Sequence, residues 1–199
     1  ASVTKICATT ISIMKLYEQG KISLTKKLGD YLPIVNGTNK ENLVIEDILL
    51  HQAGLAAFIP FYRETMDSAT GKIFTKYYST VKTDSFSIPV ATNLFLRSDW
   101  NDTMFRRILD SRLGPKGKYI YSDNDFIFLG KIVEAVSSKP LDKYVQEEFY
   151  KPMALATAGF NAKNYIPLNK IAPTEQELYF RNQLIRGYVH DPGAAMFAG

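Results

Sequence analysis

Three side chains of this sequence have the types and the spacing that acyl transfer through a serine needs. Ser2 and Lys5 are three residues apart at the start of an apolar segment, and a helix there would place both on one face. The lysine amine could then reach the serine hydroxyl and help to remove its proton, which activates an otherwise weak nucleophile. Tyr121, brought alongside by the fold, could share the proton transfers. These residues favour covalent catalysis.

The spacing Ser-x-x-Lys alone is weak evidence, because it occurs four times in this chain and about one match is expected by chance. Ser12 would lie in the middle of a helix, where a hydroxyl tends to bond back to the preceding turn. Ser23 and Ser79 lie in polar, irregular stretches. Ser2 alone precedes a helix, whose free amides and positive dipole end can stabilise an oxyanion. The alternative is that Ser2 is a helix cap and Lys5 is solvated.

The segment around Tyr121 supports the catalytic interpretation. Tyr121 follows Gly117 and precedes a second apolar helix that begins near Asn124, so the tyrosine is predicted to lie on a loop held by rigid structure. The alternative is again capping, with Asp123 as the N-cap and Tyr121 as a surface aromatic residue. Two helix-start motifs with complementary chemistry in one chain favour a shared site.

The elements that must position these residues are mostly predicted helices, because apolar residues recur at helical spacing. The predicted helices cover residues 2–19, 41–51, 101–113, 123–138 and 141–150. The first has so few polar residues that we expect it to be buried on most sides, with Cys7 as a small core residue. The other stretches are predicted to be irregular at 21–33, short strands or extended loop at 55–100, and mostly loop from 161 with a helical turn at 176–184.

Composition excludes several other classes of function. The chain has 46% hydrophobic and 22% charged residues, which is ordinary for a globular protein. Its net charge is +4, but the basic residues are scattered, which argues against nucleic-acid binding. Two distant histidines and one cysteine make a zinc site improbable and leave no internal disulfide. No apolar run approaches the length of a membrane span. We expect neither a metal nor a cofactor.

Taken together, the motifs resemble those of the serine β-lactamase and penicillin-binding-protein superfamily, on its class C β-lactamase and related-esterase branch. Ser2-Val3-Thr4-Lys5 matches the Ser-x-x-Lys element, and Tyr121-Ser122-Asp123 matches the Tyr-x-Asn/Tyr-Ser-Asp element. Residues 45–55 resemble the "LLTHTSGL" segment, with differences at Leu50, Gln52 and Ala53.

A further likeness concerns the last part of the chain. Residues 171–175, Arg181 and residues 187–191 resemble a signature of bacterial subgroups. Some members of these subgroups follow a family 3 glycoside hydrolase domain in one polypeptide. The resemblance therefore implies a fused glycoside hydrolase domain as one partner of this chain.

The resemblance also implies a fold. It is the α+β, β-lactamase/transpeptidase-like fold, of which residues 1–199 would be the central, mostly helical part, lacking most of the central sheet. The N-terminal strands of the family would precede Ala1. The third active-site element, Lys-Thr-Gly or His-Thr-Gly on a strand that also supplies an oxyanion-hole amide, would follow Gly199.

The resemblance assigns roles to individual residues. Ser2 would be the acylated nucleophile, and Lys5 and Tyr121 would share general-base and general-acid duty. Asp123 would contact substrate at the place where many β-lactamases have an asparagine, a difference that favours esterase-like or peptidase-like chemistry. His51 and His190 are interpreted as loop-bonding residues rather than catalytic ones.

The expected function is that of a serine hydrolase acting through an acyl-enzyme on a β-lactam, an ester or a D-alanyl peptide. Its substrate would be a small molecule or a peptidoglycan fragment, and its location the periplasm or cell envelope. One alternative is a catalytically silent module of the same fold that binds cell-wall fragments or supports a glycoside hydrolase domain. A second is a helical interaction domain with fortuitous motifs. The sequence leaves the preferred substrate and the oligomeric state open.

Overall fold

A computed structural model describes residues 1–197 of the chain, in which helices predominate over strands. A π-helical turn, Lys5–Thr10, leads directly into the first α-helix, and a second, Gln146–Tyr150, continues the sixth. The α-helices are α1 (Ile11–Glu18), α2 (Leu28–Tyr31), α3 (Ile45–Leu49), α4 (Trp100–Asp110), α5 (Asp123–Ser137), α6 (Leu141–Val145) and α7 (Pro192–Met196). Short 3-10 turns cover Pro33–Val35, Phe61–Thr65, Ala162–Asn164 and Leu168–Lys170.

The strands form two small antiparallel sheets. They are β1 (Tyr78–Ser79), β2 (Ile88–Ala91), β3 (Leu94–Leu96), β4 (Pro173–Glu177) and β5 (Gln183–Arg186). The first sheet has the order β1-β3-β2, with Tyr78 opposite Leu96 and Ile88 opposite the same residue from the other side. The second sheet is the hairpin β4-β5. The two structures that the sequence left open for residues 55–100 are therefore both present, as short strands joined by loops.

The chain divides into two compact units. The helical unit comprises Ser2–Phe58 and Arg106–Ala156, and the strand unit comprises Ile59–Phe105 and the residues from 157 onward, with Ala1 grouped among them. Each unit buries its own apolar residues. All the residues predicted to carry chemistry belong to the helical unit.

Helix α5 is the centre of the helical unit, because α1, α2, α3 and α6 all contact it. Its buried side chains repeat at helical spacing and meet apolar residues of its neighbours. The buried set includes Ile13 and Leu16 of α1, Leu28 of α2, Ile45 and Ile48 of α3, Phe128, Leu129, Ile132 and Val133 of α5, and Tyr144 and Val145 of α6. This packing gives the site a rigid base on both of its helices.

The first helix is confirmed as a helix, but the prediction that it is buried on most sides is wrong. Its inner face is buried through residues such as Ile13 and Leu16, whereas the side chains of Val3 and Ile6 are 73% and 65% exposed. Cys7 is also exposed, which corrects its prediction as a core residue. Cys7 lies in the π-helical turn, of which only Ala8 and Thr9 are buried.

The structure of residues 173–186 also differs from the prediction. The helical turn expected at 176–184 is instead the connection of the β4-β5 hairpin. The buried carboxylate of Glu177 accepts hydrogen bonds from the backbone amides of Tyr179, Phe180 and Arg181, and from Arg181 Nε at 2.7 Å. Because these amides donate to the carboxylate, they are not available for the hydrogen bonds of a helix. The carboxylate stabilises a tight loop instead.

Candidate active site

The start of the first helix places Ser2 and Lys5 side by side. The backbone amide of Lys5 donates to the carbonyl oxygen of Ser2 at 3.1 Å, which closes the first helical turn. The Lys5 ammonium then lies 3.1 Å from Ser2 Oγ. By contrast, Ser12 Oγ donates to the carbonyl of Ala8 at 2.7 Å and is buried, as predicted for a serine in mid-helix. Of these two Ser-x-x-Lys pairs, only the first therefore has its hydroxyl and amine in contact.

A loop that follows α3 holds the Tyr121 segment in place. His51, at the end of α3, has a left-handed backbone with φ of 57° and turns the chain into this loop. Its carbonyl accepts from the amide of Ile120 at 2.9 Å, and the carbonyl of Ala57 accepts from the amide of Asp123 at 2.8 Å. These backbone bonds on either side of Tyr121 fix the path of the chain through it.

Gly54 lets the two loops approach each other closely. Its carbonyl accepts from the amide of Gly114 at 2.7 Å. Its φ is +83°, and a Cβ at this position would lie only 2.6 Å from the carbonyl oxygen of Gly114. A glycine is therefore required here for both its backbone conformation and its lack of a side chain.

The cap of α5 is Ser122, not Asp123. Ser122 has an extended backbone, and its side chain accepts from the amides of Asn124 and Asp125. Its hydroxyl also donates to the carbonyl of Ala56 at 2.6 Å. The alternative in which Asp123 serves as the cap is therefore wrong, and the Asp123 side chain is left available for another partner.

The two helix starts meet in one cluster. The Tyr121 hydroxyl lies 2.7 Å from Ser2 Oγ, and Asp123 Oδ1 accepts from Lys5 Nζ at 2.5 Å. The Lys5 side chain is only 12% exposed, whereas that of Asp123 is 42% exposed. The predicted proximity of Ser2, Lys5 and Tyr121 is thus confirmed. Their catalytic roles, and substrate binding by Asp123, stay predictions.

The ion pair with Asp123 governs the charge of Lys5. Burial alone would lower the pKa of Lys5, but hydrogen bonds and attraction from Asp123 and from Tyr121 outweigh it, so this pKa lies above its ordinary value. Lys5 Nζ also lies 4.9 Å from the centre of the Tyr121 ring, a distance suited to a cation–π contact. Lys5 is therefore an ammonium at neutral pH in this arrangement.

The sequence did not identify the pair that lies behind Tyr121. His51 Nδ1 is 2.6 Å from Asp125 Oδ2, and both side chains are buried. The His51 ring is also 4.7 Å from the Tyr121 ring, measured between ring centres. His51 was predicted to bond to a loop, and its ring does so. Nothing in the sequence marks Asp125 as part of a site. Acidic residues are common in the first turn of a helix, because they interact favourably with the helix dipole.

The second histidine of the chain, His190, belongs to the strand unit. It is exposed, and its backbone carbonyl accepts a hydrogen bond from Arg181. Within residues 1–197, no group of three or more histidine, cysteine or acidic side chains is placed to hold a metal ion. None of the helices described in that range is both long and apolar enough to cross a membrane.

Comparisons with known proteins identify the family of the chain. The family model described as "Beta-lactamase" matches residues 1–170. The chain is 29% identical over 213 residues to the "N-acetylmuramyl-L-alanine amidase" of Bacillus subtilis, covering 98% of this chain and 42% of the relative. It is 31% identical over 212 residues to the "Putative D-alanyl-D-alanine carboxypeptidase" of Salmonella paratyphi A, covering 98% of this chain and 43% of the relative. The chain thus spans less than half the length of these relatives.

A solved structure supports the fold. The octameric penicillin-binding protein homologue from Pyrococcus abyssi superposes with a TM-score of 0.57 at 18% identity, over 94% of this chain and 39% of that chain. At this identity the likeness concerns the fold alone. It confirms the β-lactamase/transpeptidase-like α+β class predicted from the sequence.

Proposed function

Since this chain belongs to the beta-lactamase family, we propose that it carries the nucleophile of a serine hydrolase that works through an acyl-enzyme. The observation that supports this most is the meeting of Ser2, Lys5 and Tyr121. Tyr121 Oη and Lys5 Nζ lie 2.7 Å and 3.1 Å from Ser2 Oγ, both within the distance that proton transfer needs. A capping serine with a solvated lysine would need no tyrosine at its hydroxyl.

Acylation would begin with attack of Ser2 Oγ on the carbonyl carbon of the substrate. The hydroxyl proton passes to a neighbouring base, and the leaving amine or alcohol then takes up a proton as its bond to the carbonyl carbon breaks. Asp123 holds Lys5 as an ammonium at rest, so Lys5 takes the proton of Ser2 only after it has given up one of its own. The Tyr121 hydroxyl, 2.7 Å from Ser2 Oγ, shares in these proton transfers. Water hydrolyses the ester at Ser2 in the second half of the reaction.

Asp123 would select among substrates. Its carboxylate is 42% exposed beside Lys5, so it presents a negative charge at the edge of the site. Such a charge favours a substrate with a neutral amide or an amine nearby and opposes an anionic group. An ester, or a peptidoglycan peptide whose own carboxylate lies away from Asp123, therefore fits the site better than a β-lactam whose carboxylate would face Asp123. This substrate class would place the protein in the cell envelope.

The test is hydrolysis by the full-length protein of a D-alanyl-D-alanine peptide, a nitrophenyl ester and a chromogenic cephalosporin. We expect turnover of the peptide or the ester, and we expect Ser2→Ala to abolish it. Ser12→Ala is the matched control, because Ser12 has the same spacing to a lysine but a buried hydroxyl. Wild-type rates in Ser2→Ala would contradict the proposal. A well-folded wild type that turns over none of the three would favour the catalytically silent module.

A further inference from the structure

We infer that His51 and Asp125 are a positioning pair for Tyr121, in which Asp125 is a neutral carboxylic acid that donates its proton to His51 Nδ1. The inference rests on the proposed acylation of Ser2, because it assigns a task to residues that do not touch the nucleophile. Two features of the geometry identify the position of the shared proton, and the surrounding charge supports the same assignment.

The first feature is the partner of the histidine nitrogen. The backbone amide of Ser122 donates to His51 Nδ1 at 3.2 Å. A backbone N–H can only donate, so Nδ1 has to carry its lone pair and not a proton. The same nitrogen is 2.6 Å from Asp125 Oδ2, a distance that requires a proton between the two atoms. We therefore assign that proton to the Asp125 carboxyl group, with the single lone pair of Nδ1 shared between the Asp125 hydroxyl and the longer bond from the Ser122 amide.

The second feature is the other oxygen of the carboxyl group. Within the described part of the chain, Asp125 Oδ1 is buried and has no hydrogen-bond partner. An ionised carboxylate in that position would carry a full charge with one oxygen unsatisfied, which is costly away from water. The carbonyl oxygen of a neutral acid tolerates the same surroundings far better.

The surrounding charge supports the same assignment. Burial raises the pKa of Asp125 to about 8, although Lys5 acts in the opposite direction. Burial and Lys5 lower the pKa of His51, and Asp123 only partly opposes them. Both shifts favour a neutral acid beside a neutral imidazole over an ion pair.

The pair lies directly behind the catalytic loop. The His51 ring contacts the rings of Tyr119, Tyr121 and Phe126, with centres 5.9, 4.7 and 5.4 Å away. The charged and titratable groups around the pair are thus Lys5 on the first helix and Tyr119, Tyr121 and Asp123 on the loop. Because His51 contacts both the Ser122 amide and the Tyr121 ring, it fixes the direction in which the Tyr121 hydroxyl points.

Loss of the Asp125 proton would break this arrangement. The carboxylate would then face the bare lone pair of Nδ1, so the ring proton would leave Nε2 and a proton would return to Nδ1. His51 could then donate to Asp125, but the Ser122 amide would face an N–H and lose its acceptor. We therefore expect the turn that contains Tyr121 to loosen, and acylation to slow, as the pH rises through the range in which Asp125 ionises.

The test is the pH profile of Ser2 acylation in the full-length protein, compared with Asp125→Asn. The amide of Asn can donate to Nδ1 but cannot lose its proton, so this variant should keep its rate. Between pH 7 and pH 9 we expect the ratio of the wild-type rate to the Asp125→Asn rate to fall about tenfold, because at one pH unit above its pKa only about a tenth of a group remains protonated. A purely structural Asp125 would give the two proteins the same profile, and that result would overturn the inference.

Nitrogen NMR of His51 separates this inference from the proposed function, because the protonation of the ring in the wild type can be read without turnover. At pH 7 we expect a bare Nδ1 and a protonated Nε2, with the Tyr121 ring resonances moving above pH 8 in the wild type but not in Asp125→Asn. A protonated Nδ1 at pH 7 would overturn the inference even if Ser2 is acylated. A wild type that forms no adduct would refute the function alone, and the NMR result would still decide the state of the pair.

Discussion

Asp123 changes the chemistry of the site by what it does to Lys5. At 2.5 Å from Lys5 Nζ it is the nearest anion to the amine, and it contributes to the raised pKa of Lys5. An asparagine could accept the same hydrogen bond but would add no charge. The residue at this position therefore decides how easily Lys5 can become a neutral base.

We predict that Asp123→Asn raises acylation of the full-length protein by β-lactams that carry a carboxylate. The substitution removes the repulsion between two anions and lowers the Lys5 pKa, so that the neutral amine is present at a lower pH. In the pH profile of the acylation rate, the rise on the basic side should therefore move to lower pH. The measurement is the second-order acylation rate with a labelled penicillin across pH.

A neutral nitrophenyl ester serves as the control substrate for this variant. Its rate should respond to the change at Lys5 but gain nothing from the lost repulsion. Unchanged or slower acylation by the penicillin would show that Asp123 has no part in substrate choice. The cap of α5 is not expected to complicate the comparison, because Ser122 supplies it.

The sequence could predict that Ser2, Lys5 and Tyr121 meet, because residue type and distance from the start of a helix can be read from neighbouring residues. The His51–Asp125 pair could not be identified in the same way. Its members are 74 residues apart, and what matters about Asp125 is its burial, which no neighbouring residue indicates. Likewise, the sequence around Cys7 is typical of a core residue, but Cys7 lies in the π-helical turn and is exposed.

At the scale of elements, two short loops bring the two helix starts together. The loop after α3 supplies carbonyl groups, and the loop before α5 supplies the amides that donate to them. Gly114, Gly117, Ile120 and Asp123 donate in turn to Gly54, Gln52, His51 and Ala57. The position of Tyr121 therefore depends on how closely these backbones can approach.

We predict that Gly54→Ala destabilises the protein more than Gly117→Ala. Both glycines have positive φ, but a Cβ at Gly117 meets nothing within 4 Å, whereas one at Gly54 lies 2.6 Å from a carbonyl oxygen. The backbone strain alone should cost about 1–2 kcal/mol in each variant. The clash at Gly54 should add about 1–3 kcal/mol. The measurement is the free energy of unfolding from denaturant titration.

The two variants should also differ in acylation. Gly54→Ala should slow the reaction at Ser2 because it pushes the Tyr121 loop away, and Gly117→Ala should have a much smaller effect. Equal stability losses in the two variants would mean that the loop before α5 yields to the new methyl group. The close approach at Gly54 would then not be needed to place Tyr121.

Elements with strong helical periodicity were predicted well, and those defined by long-range contacts were not. Helix α5 has Phe128, Leu129, Ile132 and Val133 on its buried face, a pattern that is visible in the sequence. The β4-β5 hairpin instead depends on the Glu177 carboxylate and its contact with Arg181. Propensity in residues 176–184 favours a helical turn, and this buried pair overrides it.

At the scale of the whole molecule, the first helix has an exposed apolar face. Val3, Ile6 and Met14 are 73%, 65% and 63% exposed. Contiguous apolar surface of this kind is typical of a face that another segment or chain covers. The central position of residues 1–199 in a larger domain and a fused glycoside hydrolase domain both stay predictions.

We predict that residues 1–199 alone turn over substrate far more slowly than the full-length protein. Loss of one oxyanion donor lowers the rate by about a hundredfold to a thousandfold, and the strand predicted to supply it would lie outside these residues. The exposed face of the first helix should also promote self-association. Steady-state hydrolysis of a nitrophenyl ester, together with light scattering, measures both effects. Comparable turnover by the two proteins would show that the site is complete within this chain.

The most direct test of the central claim is to find the residue that becomes acylated. The full-length protein is treated with a labelled penicillin or a fluorophosphonate, digested and mapped by mass spectrometry. We predict a single adduct at Ser2, lost in Ser2→Ala and formed much more slowly in Tyr121→Phe, which keeps the ring but removes the hydroxyl that lies 2.7 Å from Ser2 Oγ. An adduct at another serine, or a folded wild type that gains no mass from either reagent, would contradict the assignment of Ser2 as the nucleophile.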